Sequence, residues 1–240
     1  MSSITAADTT APLHPYYPIG IALSGDVFVA NDWSASSLVL GFAAGLASIL
    51  GVAWLVMMKI NPRLKASDRA LVLWFVSTGS IHVFFEGYFV LNHHRMGGMQ
   101  DFFGQLWKEY ALSDSRYMLS DPFLLCIETS TVITWGPLSF LTALLIIRES
   151  PYRHSIQALV STGHIYGDGL YFATSLLDEF YSGKIYYRPE PFYFWVYFVF
   201  MNILWLIIPG FCLYGSIKAS AEAFAISSKV SASKTAKKRS

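Results

Sequence analysis

Charge is scarce in this chain. Asp, Glu, Lys and Arg make up 14% of its 240 residues, against about 25% in an average soluble domain. The 17 basic and 16 acidic side chains nearly cancel, leaving a net charge of +1. A nucleic-acid partner, which calls for a basic surface, is therefore not expected. Cysteine is scarce as well. Cys126 and Cys212 both fall in apolar runs and read as small buried hydrophobes, with no disulfide framework. Histidine occurs only at His14, His82, His93, His94, His154 and His164, with one adjacent pair. That is too dispersed for a membrane di-iron oxidase, so no metal site is expected. There is no HExxH, because Glu86 is followed by Gly-Tyr-Phe, and no phosphate-cradling glycine loop or G-x-S-x-G. Zincin, nucleotide-loop and serine-hydrolase chemistries are excluded on those grounds. Residues 1–35 hold no Lys or Arg. The positive n-region of a secretory signal peptide is missing, and none is expected.

What the chain does have is apolar length. Hydrophobic residues make up 54% of it, and its mean hydropathy is +0.43. A helix needs about 20 apolar residues to cross the hydrocarbon core. Five segments qualify as spans: 34–58, 70–91, 122–147, 155–177 and 192–215, the fourth being the least hydrophobic. The expected fold is an all-α integral membrane protein with five transmembrane helices. Residues 1–33 are expected as a loop-like segment, 34–215 as the membrane domain and 216–240 as a disordered, Ala/Ser/Lys-rich tail. In the first segment Pro12, Pro15 and Pro18 are spaced through aromatics, and Tyr16, Tyr17 and Trp33 suit a membrane interface. Gly41 and Gly45 form a GxxxG pair suited to close helix packing. Phe102 to Tyr110 is expected as a short interfacial helix. Pro122 suits a first helical position, and Trp135-Gly136-Pro137 should kink the third span.

Positive charge orients the bundle. Lys59, Arg63, Lys65 and Arg69 lie between spans one and two, Arg148 and Arg153 between three and four, and six basic residues in the tail. The opposite side holds only Arg95, Lys108, Arg116, Lys184 and Arg188. Basic loops mark the cytosol, so the N-terminus is expected to be lumenal and the tail cytosolic. The tail ends Lys237-Lys238-Arg239-Ser240, which resembles a dilysine signal for return to the endoplasmic reticulum.

Acids at membrane depth are costly and face a cavity or a partner. Three fall inside the spans: Glu86, Glu128 and Asp168. His82 lies four residues before Glu86, so the two share a helix face. His164 and Asp168 repeat that spacing and can pair with each other. Thr131 and Trp135 follow Glu128 on one face, and Asn202 and Trp205 lie near the middle of span five. These groups fall in the middle and lumenal part of the bundle, as a shared pocket requires. A carboxyl in apolar surroundings can keep a proton to donate, or, ionised, attract a cation, and Trp faces add cation–π attraction. Such a pocket can protonate an alkene and steady the cation that results.

Long strings in this chain resemble the emopamil-binding protein family of sterol isomerases. They are HPYYP at 14–18, IHVFFEGYFV at 81–90, QLWKEYALSDSRY at 105–117, CIETSTVITWGPLSF at 126–140, GHIYGDGLYF at 163–172 and YFWVYFVFMNILWLIIPG at 193–210. The resemblance implies a five-helix protein of the endoplasmic reticulum acting in sterol biosynthesis. It would move a ring double bond from the 8,9 to the 7,8 position without cofactor, by a proton added at carbon 9 and lost from carbon 7. It implies functional roles for His82, Glu86, Glu128, Thr131, Asn202 and Trp205. His82 and Glu86 would deliver and remove the proton, Glu128 would stabilise the cation, Asn202 and Thr131 would orient the carboxylates, and Trp205 would cover the cation. Trp135 joins the expected substrate-binding set. Asp114, Arg116 and Tyr117 are expected at the pocket mouth. The implied partners are an 8-ene sterol, cationic amphiphilic inhibitors, the lipid bilayer and a second copy of the chain. His164 departs from the resemblance, which leads one to expect glutamine there. The family also includes members without isomerase activity, so a non-catalytic sterol and amphiphile receptor stays open as the alternative.

Overall fold

The computed structural model describes residues 14–25 and 27–239, with side chains described through Thr235. Pro12 and the side chains of the Lys237-Lys238-Arg239-Ser240 signal lie outside the described residues. Among the described residues every regular element is helical. Helix α1 (Ala35–Ile60) is followed by α2 (Ala66–Ser80), which continues through a π-helical turn, Ile81–Glu86, into α3 (Gly87–Asn92). Then come α4 (Phe102–Tyr110), α5 (Pro122–Ser130), a π turn at Thr131–Trp135 and α6 (Gly136–Ile147). Helix α7 (Arg153–Ser182) is continuous, and a third π segment, Tyr193–Phe200, leads into α8 (Met201–Arg239).

Among the described residues, four helical stretches are long and apolar enough to cross a membrane: Ala35–Ile60, Ala66–Gly98, Pro122–Ile147 and Tyr193–Thr235. The expected fourth span corresponds to α7, which is long but carries Gln157, His164 and Asp168 on its inner side. Polar side chains serving the interior lower its hydropathy. It packs along α8, while α2 packs against α6. Helix α1 stands to one side against α2 and α4. Gly41 explains part of that contact, because a Cβ there would meet the Phe102 ring at 2.8 Å. Gly45 has nothing within 4 Å, so only half of the expected glycine pair is used for packing.

Helix ends follow local chemistry. Ser34, Asp101 and Asp121 each cap a helix by accepting a backbone N–H three residues on, and Pro122 takes a first-turn position where its missing donor is not needed. Helix α7 stops at Gly183, whose φ of 65° is left-handed and suits a residue without Cβ. The tail departs from expectation. In place of the expected disorder, α8 runs through it to Arg239. After Gly215 no glycine or proline interrupts a run of Ala, Ser and Lys, whose helix propensities are compatible with continuation.

The N-terminal segment also differs from its expected form. Tyr16 is buried rather than interfacial, and its hydroxyl donates to the Lys108 carbonyl at 3.0 Å. The Asp32 and Trp33 N–H groups donate to Gln105 Oε1, and Lys108 Nζ donates to the Val29 carbonyl. Helix α4 forms over the expected residues but is no surface helix, since Gln105, Leu106, Trp107 and Lys108 are all buried. It serves as the floor on which the N-terminal segment lies. Cys126 is exposed, against expectation, and Cys212 is buried.

Candidate active site

The three π turns have one thing in common: each borders the same cavity, of about 360 Å3. Ile81–Glu86 supplies His82, Phe85 and Glu86; Thr131–Trp135 supplies Thr131 and Trp135; Tyr193–Phe200 supplies Tyr197 and Phe200. A π turn adds a residue to the helical ladder and re-aims the side chains around it, which is why such turns gather at functional sites. Helix α7 adds His164 and Asp168, and α8 adds Asn202 and Trp205. Gly163 is required here, because a Cβ at that position would lie 2.6 Å from the Trp135 ring. That close approach seats Trp135 against α7.

The polar groups form a chain. His82 Nδ1 lies 2.7 Å from Glu86 Oε2, and His82 Nε2 lies 3.0 Å from His164 Nε2. The Thr131 hydroxyl reaches the same Glu86 oxygen and lies 2.8 Å from the Glu128 carbonyl oxygen. Glu128 Oε1 accepts the Tyr117 hydroxyl at 2.7 Å. His82, Glu128 and His164 are each at most 6% exposed. The expected pairing of His164 with Asp168 does not occur. Helical spacing allowed it, but His164 is turned across to His82, and Asp168 Oδ2 has no hydrogen-bond partner among the described residues.

Asn202 is placed differently from its expected role. Its Oδ1 accepts the Tyr110 hydroxyl at 3.0 Å and its Nδ2 donates to the Phe198 carbonyl at 2.7 Å. It touches neither carboxylate. The π segment before it leaves carbonyls in need of donors, and its amide is used there. Trp205 lines the cavity and packs against Trp74, ring centroids 5.7 Å apart. Tyr117 lines the cavity, but Asp114 and Arg116 do not. These two form a buried ion pair at 2.6 Å outside the cavity lining rather than at its expected mouth.

Glu109, Tyr110, Tyr117 and His164 complete the polar lining. Sequence reading assigned Glu109 and Tyr110 to an interfacial helix and so missed them. The adjacent acid and tyrosine at the end of FFGQLWKEY were the available signal. Burial pushes the Glu109 carboxyl above its ordinary value, opposed by the Tyr197 hydroxyl that donates to it and by Arg188.

A family model described as EXPERA, the expanded EBP superfamily, matches residues 102–216. The match begins after His82 and Glu86, so it covers only part of the polar chain. Among curated proteins, the 3-beta-hydroxysteroid-Delta(8),Delta(7)-isomerase of Cavia porcellus is 42% identical over 89% of this chain and 91% of its own length. The protein of that name from Rattus norvegicus is 41% identical, over 86% of this chain and 88% of its own. The isomeliandiol synthase of Melia azedarach is 31% identical over 80% of this chain and 84% of its own. The similarity thus reaches proteins whose names record different products.

Proposed function

The chain belongs to the EXPERA, or expanded EBP, superfamily, and from that membership we propose that it is a 3-beta-hydroxysteroid-Delta(8),Delta(7)-isomerase. The observation that carries this reading is the hydrogen-bonded run from His164 through His82, Glu86, Thr131 and Glu128 to Tyr117, set in a largely apolar cavity. Proton transfer to and from an unactivated ring carbon needs an acid and a base held against an apolar substrate with water kept out. The site has those parts.

The catalytic set is His82, Glu86 and Glu128. Both ring nitrogens of His82 are engaged, so it meets the substrate only through Glu86. Glu86 Oε2 is held by His82 and Thr131, which leaves Oε1 for the reacting carbons. A proton from this coupled pair adds to carbon 9 as the electrons of the 8,9 double bond form the new C–H bond. The cation then lies at carbon 8. Loss of the carbon 7 proton to the same set closes the 7,8 double bond. Protons balance and no oxidation state changes, so the reaction calls for no cofactor. Glu128 stabilises the cation, and the Trp205 and Trp135 faces add cation–π attraction. Thr131 orients Glu86 directly, whereas Asn202 holds the Tyr110 hydroxyl at the cavity wall.

On this reading the protein is a multi-pass membrane protein of the endoplasmic reticulum with five spans, a lumenal N-terminus and a cytosolic tail. The 30 residues of α7 extend about 45 Å, enough for a core of about 30 Å, and the basic loops favour this orientation. The site also suits cationic amphiphiles, whose ammonium mimics the cation beside Glu128. A homodimer belongs to the same reading.

Purified protein in detergent, supplied with an 8-ene 3β-hydroxysterol alone, converts it to the 7-ene, and in deuterated water the product carries deuterium at carbon 9. Tight binding of the sterol with no conversion would replace the enzyme by a receptor.

A further inference from the structure

The walls of the cavity are unequally provided with partners. His82, Glu86, Glu128, Thr131 and Tyr117 are tied together, but Asp168 Oδ2 is buried with no hydrogen-bond partner among the described residues. Two polar groups on and around α7, His164 and Arg116, are already engaged. His164, one turn earlier, is directed at His82. The Arg116 guanidinium is taken up by Asp114, the Thr174 hydroxyl and the Tyr171 carbonyl. A carboxyl inside an apolar bundle with nothing to bind is costly, and Asp168 lines the cavity.

Its position relative to the acid–base groups is fixed by helix register. Gln157 donates to the Cys212 carbonyl at one end of the α7–α8 contact, and Tyr171 meets Phe198 at the other, centroids 5.6 Å apart. That register sets His164 level with Trp205, and Asp168 level with Met201. Asp168 therefore lies about 6 Å along α7 from the histidine that touches His82.

We propose that Asp168 is the anchor for the sterol 3β-hydroxyl. This rests on the isomerase reading and assigns the residue that positions the substrate in it. The hydroxyl is the only polar group of such a sterol. It sits on the first ring, one fused ring away from the carbons that gain and lose the proton. Its partner must be close to the acid–base cluster without belonging to it, as Asp168 is. The hydroxyl donates to the carboxyl, completing a buried acceptor and holding carbon 9 against Glu86. A site of this kind discriminates strongly against a substrate lacking the donor, because the acceptor is then left buried and unpaired.

The test compares full-length wild type, Asp168→Asn and Asp168→Leu on two substrates in detergent, the 8-ene 3β-alcohol and its 3β-methyl ether. In wild type the ether raises KM at least about tenfold with kcat near that of the alcohol. Asp168→Leu raises KM for the alcohol by a similar factor and is indifferent to the ether. Asp168→Asn, which keeps an acceptor oxygen, falls between. An ether as good as the alcohol in wild type overturns the proposal without reference to any variant. So does an equal loss of kcat on both substrates in the variants, which would place Asp168 in the proton transfer or in the fold. Absence of turnover by wild type on the alcohol would instead sink the isomerase reading on which the anchor rests.

Discussion

Two buried ionisable clusters in this fold follow different rules. In the first, Asp114 and Arg116 are one anion and one cation. The guanidinium donates to both carboxylate oxygens, at 2.6 to 3.0 Å, to Thr174 Oγ1 at 2.8 Å and to the Tyr171 carbonyl at 3.2 Å. Burial works against the Arg116 cation, but the Asp114 carboxylate beside it more than offsets this and holds the guanidinium above its ordinary value. The second cluster has two carboxyls and two imidazoles, Glu86, Glu128, His82 and His164, and among the described residues no Lys or Arg lines the cavity around them. Its charge can balance only through protons. The first cluster is fixed by a permanent cation; the second has protons to move. Burial alone therefore does not mark a reactive acid. The kind of counter-charge does.

The widest separation between the clusters should appear on substitution. Glu86→Gln or Glu128→Gln is expected to lower turnover by about 10²–10⁴-fold while the folded protein persists, read from 7-ene formed per enzyme. Arg116→Leu should do the reverse. Leaving Asp114 buried and unpaired costs about 3–5 kcal/mol of stability, read from denaturant unfolding, while the fraction that remains folded keeps its KM. An Arg116→Leu protein as stable as wild type but inactive would erase the distinction and return that pair to the substrate site.

The two clusters were not equally legible in the sequence. Helix positions came through well, because apolar runs and caps are local: the third span begins at Pro122 and ends at Ile147 as read. The pairing of His82 with Glu86 was legible too, since both lie on one helix at a four-residue spacing. Contacts between helices were not. Equal spacing suggested that His164 pairs with Asp168, whereas His164 bonds His82, 82 residues away. Asp114 and Arg116 read as pocket-mouth residues because their segment is polar, whereas the Arg116 guanidinium is held by Thr174 and Tyr171 of α7, far away in the chain. The π turns left no trace in residue type, although they aim most of the site. Helix α7 was the hardest, because the polar side chains that line the cavity also lower its hydropathy.

A smaller effect sharpens the second cluster. His82 must donate a hydrogen bond from Nδ1–H to Glu86 if that carboxyl is ionised, and its neutral Nε2 then needs a donor, which His164 can be. His164→Ala should lower kcat about tenfold, the worth of one buried hydrogen bond of about 1–1.5 kcal/mol. It should also displace the pH–rate profile. His164→Gln keeps an N–H donor and should restore both. Equal losses in the two variants, with an unmoved profile, would make His164 a packing residue only.

The smallest effect concerns a buried charge that belongs to neither cluster. Lys108 is buried, and its Nζ donates to two neutral acceptors, the Val29 carbonyl and Gln100 Oε1, each at 2.6 Å. Burial lowers it from 10.5 to about 8, with Asp32 and Asp101 pulling the other way. The folded state therefore gives up this proton more readily than the unfolded state does. Between pH about 8 and 10.5 the unfolded chain binds more protons, so this group makes stability rise with pH through that window and contributes no slope below it. Lys108→Met should remove the rise. The measurement is the unfolding midpoint of wild type minus that of the variant, which should climb across the window. Parallel curves would mean that Lys108 behaves as a solvated surface charge, and that the N-terminal segment is held to α4 by Gln105 and Tyr16 without it.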